Sequence, residues 1–296
     1  MLKSLASFIV SSRTAAFGAL LALCLLALVL PISALLSSAA IMLVVLYAGT
    51  RQAFYVALAC TLALAVFTGF ASANPLLGIA MGSAQLLPGL LLASIYTRSG
   101  SLSVALQTAV VIALVVFIGI MRLLPDIDQI WTQLLDELLT AMQADKTLSP
   151  AQLETVISRL AQFMTGLVIG SALLMHSIAL VFAHWLHALV RSNDEAEIEH
   201  GEISLSKVLA VATILTTAAA FATKSVFLAQ LSGIIGILFF LQGMNAIHTI
   251  TRAMTKGKLW LIISYLLVIF IPQTMLLIVL FGLIDSLSNL RSRISH

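Results

Sequence analysis

The chain has 296 residues, of which 61% are hydrophobic and only 9% charged. An ordinary soluble domain is about 25% charged, so this composition excludes a globule that coats itself with water-facing groups. The net charge of +3 comes from 15 basic and 12 acidic residues; the basic ones are scattered at block edges, without the Lys/Arg cluster interleaved with aromatics that marks a nucleic-acid face.

Nine apolar blocks follow one another along the chain. The first runs from Thr14 to Leu30 and ends at Pro31, the second from Ser33 to Ala48, the third from Gln52 to Ala73, and the fourth from Pro75 to Tyr96. The fifth runs from Leu102 to Met121, the sixth from Met164 to Val190, the short seventh from Val208 to Ala222, and the eighth from Val226 to Ile250. The ninth, Leu259 to Leu287, is too long for one upright helix and carries Pro272 at its middle. A helix of roughly 20 residues crosses the hydrocarbon of a bilayer. Runs as continuous as Ala105 to Met121 exclude the alternating pattern of a transmembrane β-barrel. Lipid offers no partner for free backbone groups, so these runs must be helical. Lys3 and Arg13 before the first block resemble a signal sequence, but no small-x-small cleavage site ends it, and it reads as an uncleaved span.

Lys and Arg set the orientation. With a cytoplasmic N-terminus, Arg51, Arg98, Arg191, Lys207, Arg252, Lys256 and Lys258 all fall on the cytoplasmic side, and Asn74 and Lys224 fall opposite. For the ninth block a single span puts Arg291 and Arg293 outside, whereas a hairpin broken at Pro272 returns them. Charge favours the hairpin and the short arms disfavour it; the hairpin is the reading adopted.

No Asp or Glu precedes Asp126. That residue opens an extracytoplasmic segment, 122–163, in which Ile127, Ile130, Trp131, Leu134, Leu138 and Met142 follow the three-and-four spacing of an amphipathic helix. Ser149, Pro150 and Gln152 read as N-cap, first helical position and capping-box partner of a second one, with Leu153, Val156, Ile157 and Leu160 as its apolar stripe. The loop 191–207, with Asp194, Glu195, Glu197, Glu199 and Glu202, reads as a solvated cytoplasmic linker. The expected fold is all-α: a polytopic transmembrane helix bundle of about eight to ten spans with two short amphipathic extracytoplasmic helices. It forms one integral membrane domain, with five spans over 14–121 and the remainder over 164–296.

Polar groups inside apolar blocks are the candidate functional residues, because they are costly in hydrocarbon. The eighth block carries Gln242, Asn245 and His248 at successive three-residue steps, a polar stripe that can bind a polar solute or bond to a neighbouring helix. His176 lies deep in the sixth block, while His184 and His187 sit near its end beside Trp185. Gln85 with Pro88, and Gln107, are weaker signals, and Asp285 is the one carboxylate in a late apolar block. Gly78 with Gly82, Ala15 with Ala19 and Gly18 with Ala22 have the one-turn spacing that lets helices approach. Cys24 and Cys60 sit in apolar blocks without CxxC or Cys/His spacing, which suits packing rather than a disulfide or metal. The sequence has no GxxxxGK[ST], HExxH or GxSxG, and no carboxylate pair or nucleophile–base pair, so neither an encoded ATPase nor an enzyme is expected, and no cofactor.

Several features coincide with one family: the apolar span ending at Pro31, the tight Gly49-Thr-Arg51 turn, Phe240-Leu-Gln-Gly243 with its helix to Arg252, and Phe281-Gly-Leu-Ile-Asp285 through Leu290-Arg291-Ser-Arg293. On these residues the chain resembles the YybS-like predicted membrane proteins, a bacterial family defined as a domain of unknown function (DUF2232). Leu290 stands where that family usually has an aromatic. The family is distantly similar to the substrate-binding membrane subunits of energy-coupling-factor importers, which dock on a coupling protein with two ATPases. The resemblance implies a similar architecture in the first half of the chain and transfers no substrate. Two functions follow as expectations: a small-solute-binding transporter component, served by a separate ATP-driven module, or a non-transporting scaffold that assembles with other membrane proteins. Both place the chain in the bilayer of a bacterial inner membrane, without nucleic-acid partners.

Overall fold

An apolar chain in lipid satisfies its backbone most completely as helix, and twelve α-helices with no strand make up the described residues. The computed structural model describes residues 2–142, 150–191, 203–252, 254 and 257–288. In chain order the helices are α1 (Leu2–Ser11), α2 (Arg13–Leu26), α3 (Ile32–Ala48), α4 (Thr50–Ser72), α5 (Pro75–Ser99) and α6 (Leu102–Leu123). They continue with α7 (Ile127–Met142), α8 (Pro150–Arg191), α9 (Lys207–Thr223), α10 (Val226–Arg252), α11 (Gly257–Phe270) and α12 (Thr274–Ser288).

Local sequence explains the punctuation. Ser12 caps α2, its hydroxyl accepting from the Ala15 N–H at 3.1 Å. Gly49, at φ +84°, makes the one-residue turn between α3 and α4 that a side chain would strain. Asn74 caps α5, and Pro75 occupies its first position, where a missing N–H costs nothing. The protein is a polytopic helical membrane protein. Its outer surface is apolar, with Phe70 91% and Phe221 82% exposed, a distribution suited to lipid rather than water.

Five helices are long and apolar enough to cross a membrane: α4, α5, α6, the stretch Glu154–Arg191 of α8, and α10. Among the described residues the apolar segments thus comprise these five helices of full length and a set of shorter apolar ones. The apolar helices α3 and α9 have 17 residues, α12 has 15, and α2 and α11 have 14. At 1.5 Å per residue they reach about 21–26 Å, short of the ~30 Å hydrocarbon. Hydropathy counts residues and does not see a helix end: the first block reaches Leu30, but α2 stops at Leu26.

Three further differences from the sequence reading appear. α1 is a helix that the block pattern does not contain, because Ser4, Ser7 and Ser11 interrupt its apolar residues. The second amphipathic helix and the sixth block are one continuous helix, the 42-residue α8. Leu160-Ala-Gln-Phe163 holds neither Gly nor Pro, so nothing there ends a helix. Pro150 does open α8; Ser149 lies outside the described residues. The ninth block breaks at Ile271–Gln273 around Pro272 into α11 and α12, as a hairpin reading requires. Lys256, Arg291 and Arg293, like 192–202 with its acidic residues, lie outside the described residues.

The chain divides into two compact units, one of residues 1–108 and 174–202, the other of 109–173 and 203–296. In the first, α3 is central: Ala39 to Val45 are all buried, so its whole circumference is covered. α4 and α5 approach through glycines. A Cβ on Gly78 would stand 2.3 Å from the Leu64 carbonyl oxygen, and one on Gly82 would stand 2.9 Å from the Thr61 hydroxyl. The spacing of Gly78 and Gly82 thus marks a real contact, whereas a Cβ on Gly18 would meet nothing within 4 Å. α1 rests on Leu43 and Leu186 through Ala6, with Phe182 and Trp185 alongside.

In the second unit α10 packs against α9, α11 and, most extensively, α12. Phe117 and Phe227 stack with centroids 5.4 Å apart. Trp131 of α7 donates its indole N–H to the Thr165 hydroxyl at 2.8 Å, so α7 is tied to α8. The end of the loop expected to be solvated is not. Ile203 and Leu205 are buried while Ser204 and Ser206 face outwards, the two-residue alternation of an extended segment. Two apolar residues in four suffice to draw that segment into the unit.

Candidate functional site

Three elements of the second unit converge on one buried polar circuit. Gln242 of α10 and Asp285 of α12 are each 1% exposed. The Gln242 side-chain amide donates to Asp285 Oδ2 at 2.8 Å, and its oxygen accepts the Leu205 N–H at 3.2 Å. Ser286, next to Asp285, donates its hydroxyl to the Leu205 carbonyl at 3.1 Å. The peptide groups of Leu205 are therefore held by side chains, as a strand neighbour would hold them, and a group that would be orphaned in an apolar interior is satisfied.

Glycines make the circuit geometrically possible. A Cβ on Gly282 would lie 2.0 Å from the Phe239 carbonyl oxygen and 2.9 Å from the Gly243 nitrogen; one on Gly243 would lie 2.2 Å from the Ile278 carbonyl oxygen. Backbone therefore meets backbone at the α10–α12 crossing. One residue before Gly243 on one helix, and three beyond Gly282 on the other, the side chains of Gln242 and Asp285 span the gap.

The rest of the α10 stripe diverges. Asn245 is half-buried. His248 Nε2 meets the Tyr265 hydroxyl of α11 at 2.8 Å, with the two rings edge to face at 5.8 Å. Each three-residue step rotates the side chain by about 60° around the helix, so Gln242 and His248 serve different neighbours.

The first unit has its own polar cluster. The Gln85 carbonyl accepts the Ser38 hydroxyl at 3.0 Å and meets His176 Nε2 at 3.3 Å, and the Gln85 side chain donates to the Ser37 hydroxyl. A carbonyl only accepts, so this contact places a proton on His176 Nε2. Pro88 withdraws one N–H from the α5 ladder just beyond Gln85. Gln85 and His176 are thus brought together, while Gln107 turns back to the Ser103 carbonyl of its own helix at 3.1 Å. His184 Nδ1 pairs with the Tyr96 hydroxyl at 2.8 Å, and His187 lies edge-on to Tyr47.

Sequence reasoning missed Leu205, Ser286, Ser37, Ser38 and Gln230. Gln230 is buried in α10, and its oxygen accepts the Gly166 N–H of α8 at 2.7 Å. A Gln in an apolar helix was a legible signal for it; the serines, common in apolar helices, gave none. Among the described residues, no group of three or more His, Cys, Asp or Glu side chains could hold a metal ion.

A family model described as a predicted membrane protein (DUF2232) matches residues 18–286. No curated protein and no solved structure matches the chain, and the distant likeness to energy-coupling-factor subunits gains no support from these comparisons.

Proposed function

The chain belongs to the DUF2232 family of predicted membrane proteins, and from that premise we propose that it is a solute-binding component of a transport system in a bacterial-type inner membrane. The observation that carries this reading is the Gln242–Asp285–Ser286 constellation around a peptide group. A carboxylate buried in an apolar helix is costly and marks function by default. Here it backs an amide and a hydroxyl that together offer a donor and an acceptor. Both now engage the N–H and carbonyl of Leu205, in an extended segment anchored by two buried side chains. A small solute bearing an amide-like or hydroxyl donor–acceptor pair could take the place of that peptide, with Asp285 polarising the Gln242 amide behind it. The energy for uphill movement would come from a separate ATP-driven module.

The basic side chains of the first unit support the orientation. Lys3, Arg13, Arg51, Arg98 and Arg191 are its described cations, all near helix ends. The Thr50–Ser94, Tyr96–His184 and Tyr47–His187 contacts gather the ends of α3, α4, α5 and α8 at one end of the unit. A cytoplasmic placement of that end satisfies the positive-inside rule.

One observation favours the scaffold reading: the chain itself occupies the donors and acceptors of the site, as packing glue would require. Mass spectrometry of small molecules and proteins that co-purify with the tagged chain in mild detergent separates the two. A stoichiometric solute that is retained by the wild type and lost in Asp285→Asn, with an unchanged melting temperature, is the expected outcome. Stable membrane-protein partners without any solute, and an Asp285→Asn variant indistinguishable from the wild type, would instead make this a scaffold.

A further inference from the structure

We infer, resting on the solute-binding reading of the Asp285 constellation, that the extended segment 203–206 is a strap that competes for that site, and that the ligand it stands in for is a neutral, capped peptide with an aliphatic side chain.

The present occupant is one amino-acid residue read at both of its peptide poles. The Gln242 side-chain oxygen accepts the Leu205 N–H at 3.2 Å, and the Ser286 hydroxyl donates to the Leu205 carbonyl at 3.1 Å. A neighbouring strand addresses an extended residue through the same two groups, and peptides that add to a sheet edge are recognised in this way. Here two side chains from α10 and α12 take the strand's part. Leu205 and Ile203 are each 4% exposed, with Ser204 turned outwards between them. The pattern therefore includes aliphatic side chains at alternate positions.

Charge narrows the class. Asp285 adjoins Ser286 in α12, and its Oδ2 accepts the Gln242 amide at 2.8 Å. With its NH₂ directed to Asp285, Gln242 presents its oxygen, and the place of the Leu205 N–H calls for a donor. The Asp285 carboxylate lies behind both reading groups. A free carboxylate in the place of the Leu205 carbonyl would set like charges together in an apolar interior, whereas an amide carbonyl brings only a dipole. A donor and an acceptor without formal charge, on one extended residue, are the two amides of a capped peptide.

The strap is built to leave. Residues 203–206 belong to no helix, so their release unwinds none. Ser206 has an extended backbone, and its hydroxyl accepts the Leu209 N–H at 3.3 Å as the cap of α9. The strap thus ends where α9 has its own cap, and rotation there frees the strap while the helix stays whole. A ligand that must wait for the strap to open binds with an apparent affinity lowered by the open fraction.

The test uses the full chain in mild detergent and measures equilibrium binding of N-acetyl-leucine N-methylamide, with N-acetyl-leucine, which ends in a free carboxylate, as the comparison. Ile203→Ser removes one apolar anchor of the strap and leaves Leu205 and the three site side chains in place. It is expected to bind the capped compound about tenfold more tightly than the wild type, because the open fraction rises. Both proteins should bind the free acid about tenfold more weakly than the capped compound. Hydrogen exchange gives a readout on the wild type alone, whether or not Ile203→Ser folds: saturating capped compound should speed exchange of the 203–206 amides about fivefold. Equal affinity of the two proteins, preference for the free acid, or binding that leaves the exchange unchanged would overturn the assignment. If neither protein binds the capped compound while a co-purifying solute is lost in Asp285→Asn, the strap assignment falls and the solute reading stands. If neither binds it and no solute co-purifies, both fall.

Discussion

Gln242 reaches two partners that its own helix could not supply, Asp285 on α12 and the Leu205 N–H in the extended segment. Leucine has nearly the same volume but no polar atoms, so Gln242→Leu keeps the packing and strips the node of its link. The Leu205 N–H is then buried without its acceptor and Asp285 loses a donor. A penalty of about 1–3 kcal/mol is expected for such a loss, read as a lowered midpoint in thermal or denaturant unfolding in detergent. Gln242→Glu, which sets a second acceptor against the Asp285 carboxylate, should cost at least as much. The sequence made Gln242 and Asp285 separately visible, as polar residues in apolar helices. It did not make them visible as a pair, because 43 positions separate them and only the backbone contact at Gly243 and Gly282 brings them together. Ser286 and Leu205 stayed hidden for a different reason: their part depends on backbone geometry that no residue type announces.

At the scale of elements, helix identity was legible and helix ends were not. Hydrophobic runs of this length leave helix as the only state that lipid tolerates, and Asn74-Pro75, Gly49 and Pro272 mark their boundaries by known conformational limits. The fusion of the amphipathic stretch near Leu160 into α8 was illegible, since a change of surface polarity along a helix does not alter its backbone. The exposed Gln162 tests that continuity. Gln162→Pro removes one ladder hydrogen bond and crowds the preceding turn, and should destabilise the protein by about 3 kcal/mol relative to Gln162→Ala. Circular dichroism melts in detergent compare the two. Two separate helices meeting at this point would tolerate the proline, and equal melts would show that arrangement.

At the scale of the whole molecule, the family assignment spans residues 18–286 and both units carry lipid-suited surfaces, so the two free cysteines can report on the bilayer. Cys24 and Cys60 are 2% and 0% exposed, in α2 and α4. A membrane-impermeant maleimide should label neither in intact membranes and two thiols per chain after denaturation in SDS; prompt labelling of native membranes would place α2 or α4 against water. The chain thus offers a silent background for cysteines introduced one at a time to map its topology. The α10–α12 crossing bears on how such a map changes during any working cycle. With carbonyl oxygens of each helix set against the backbone of the other at Gly243 and Gly282, neither helix can slip by a turn without first lifting clear of its neighbour. Any movement of α12 would therefore carry α10 with it, and the break at Ile271–Gln273, where Pro272 offers no N–H to the helix ladder, is where bending relative to α11 would cost least.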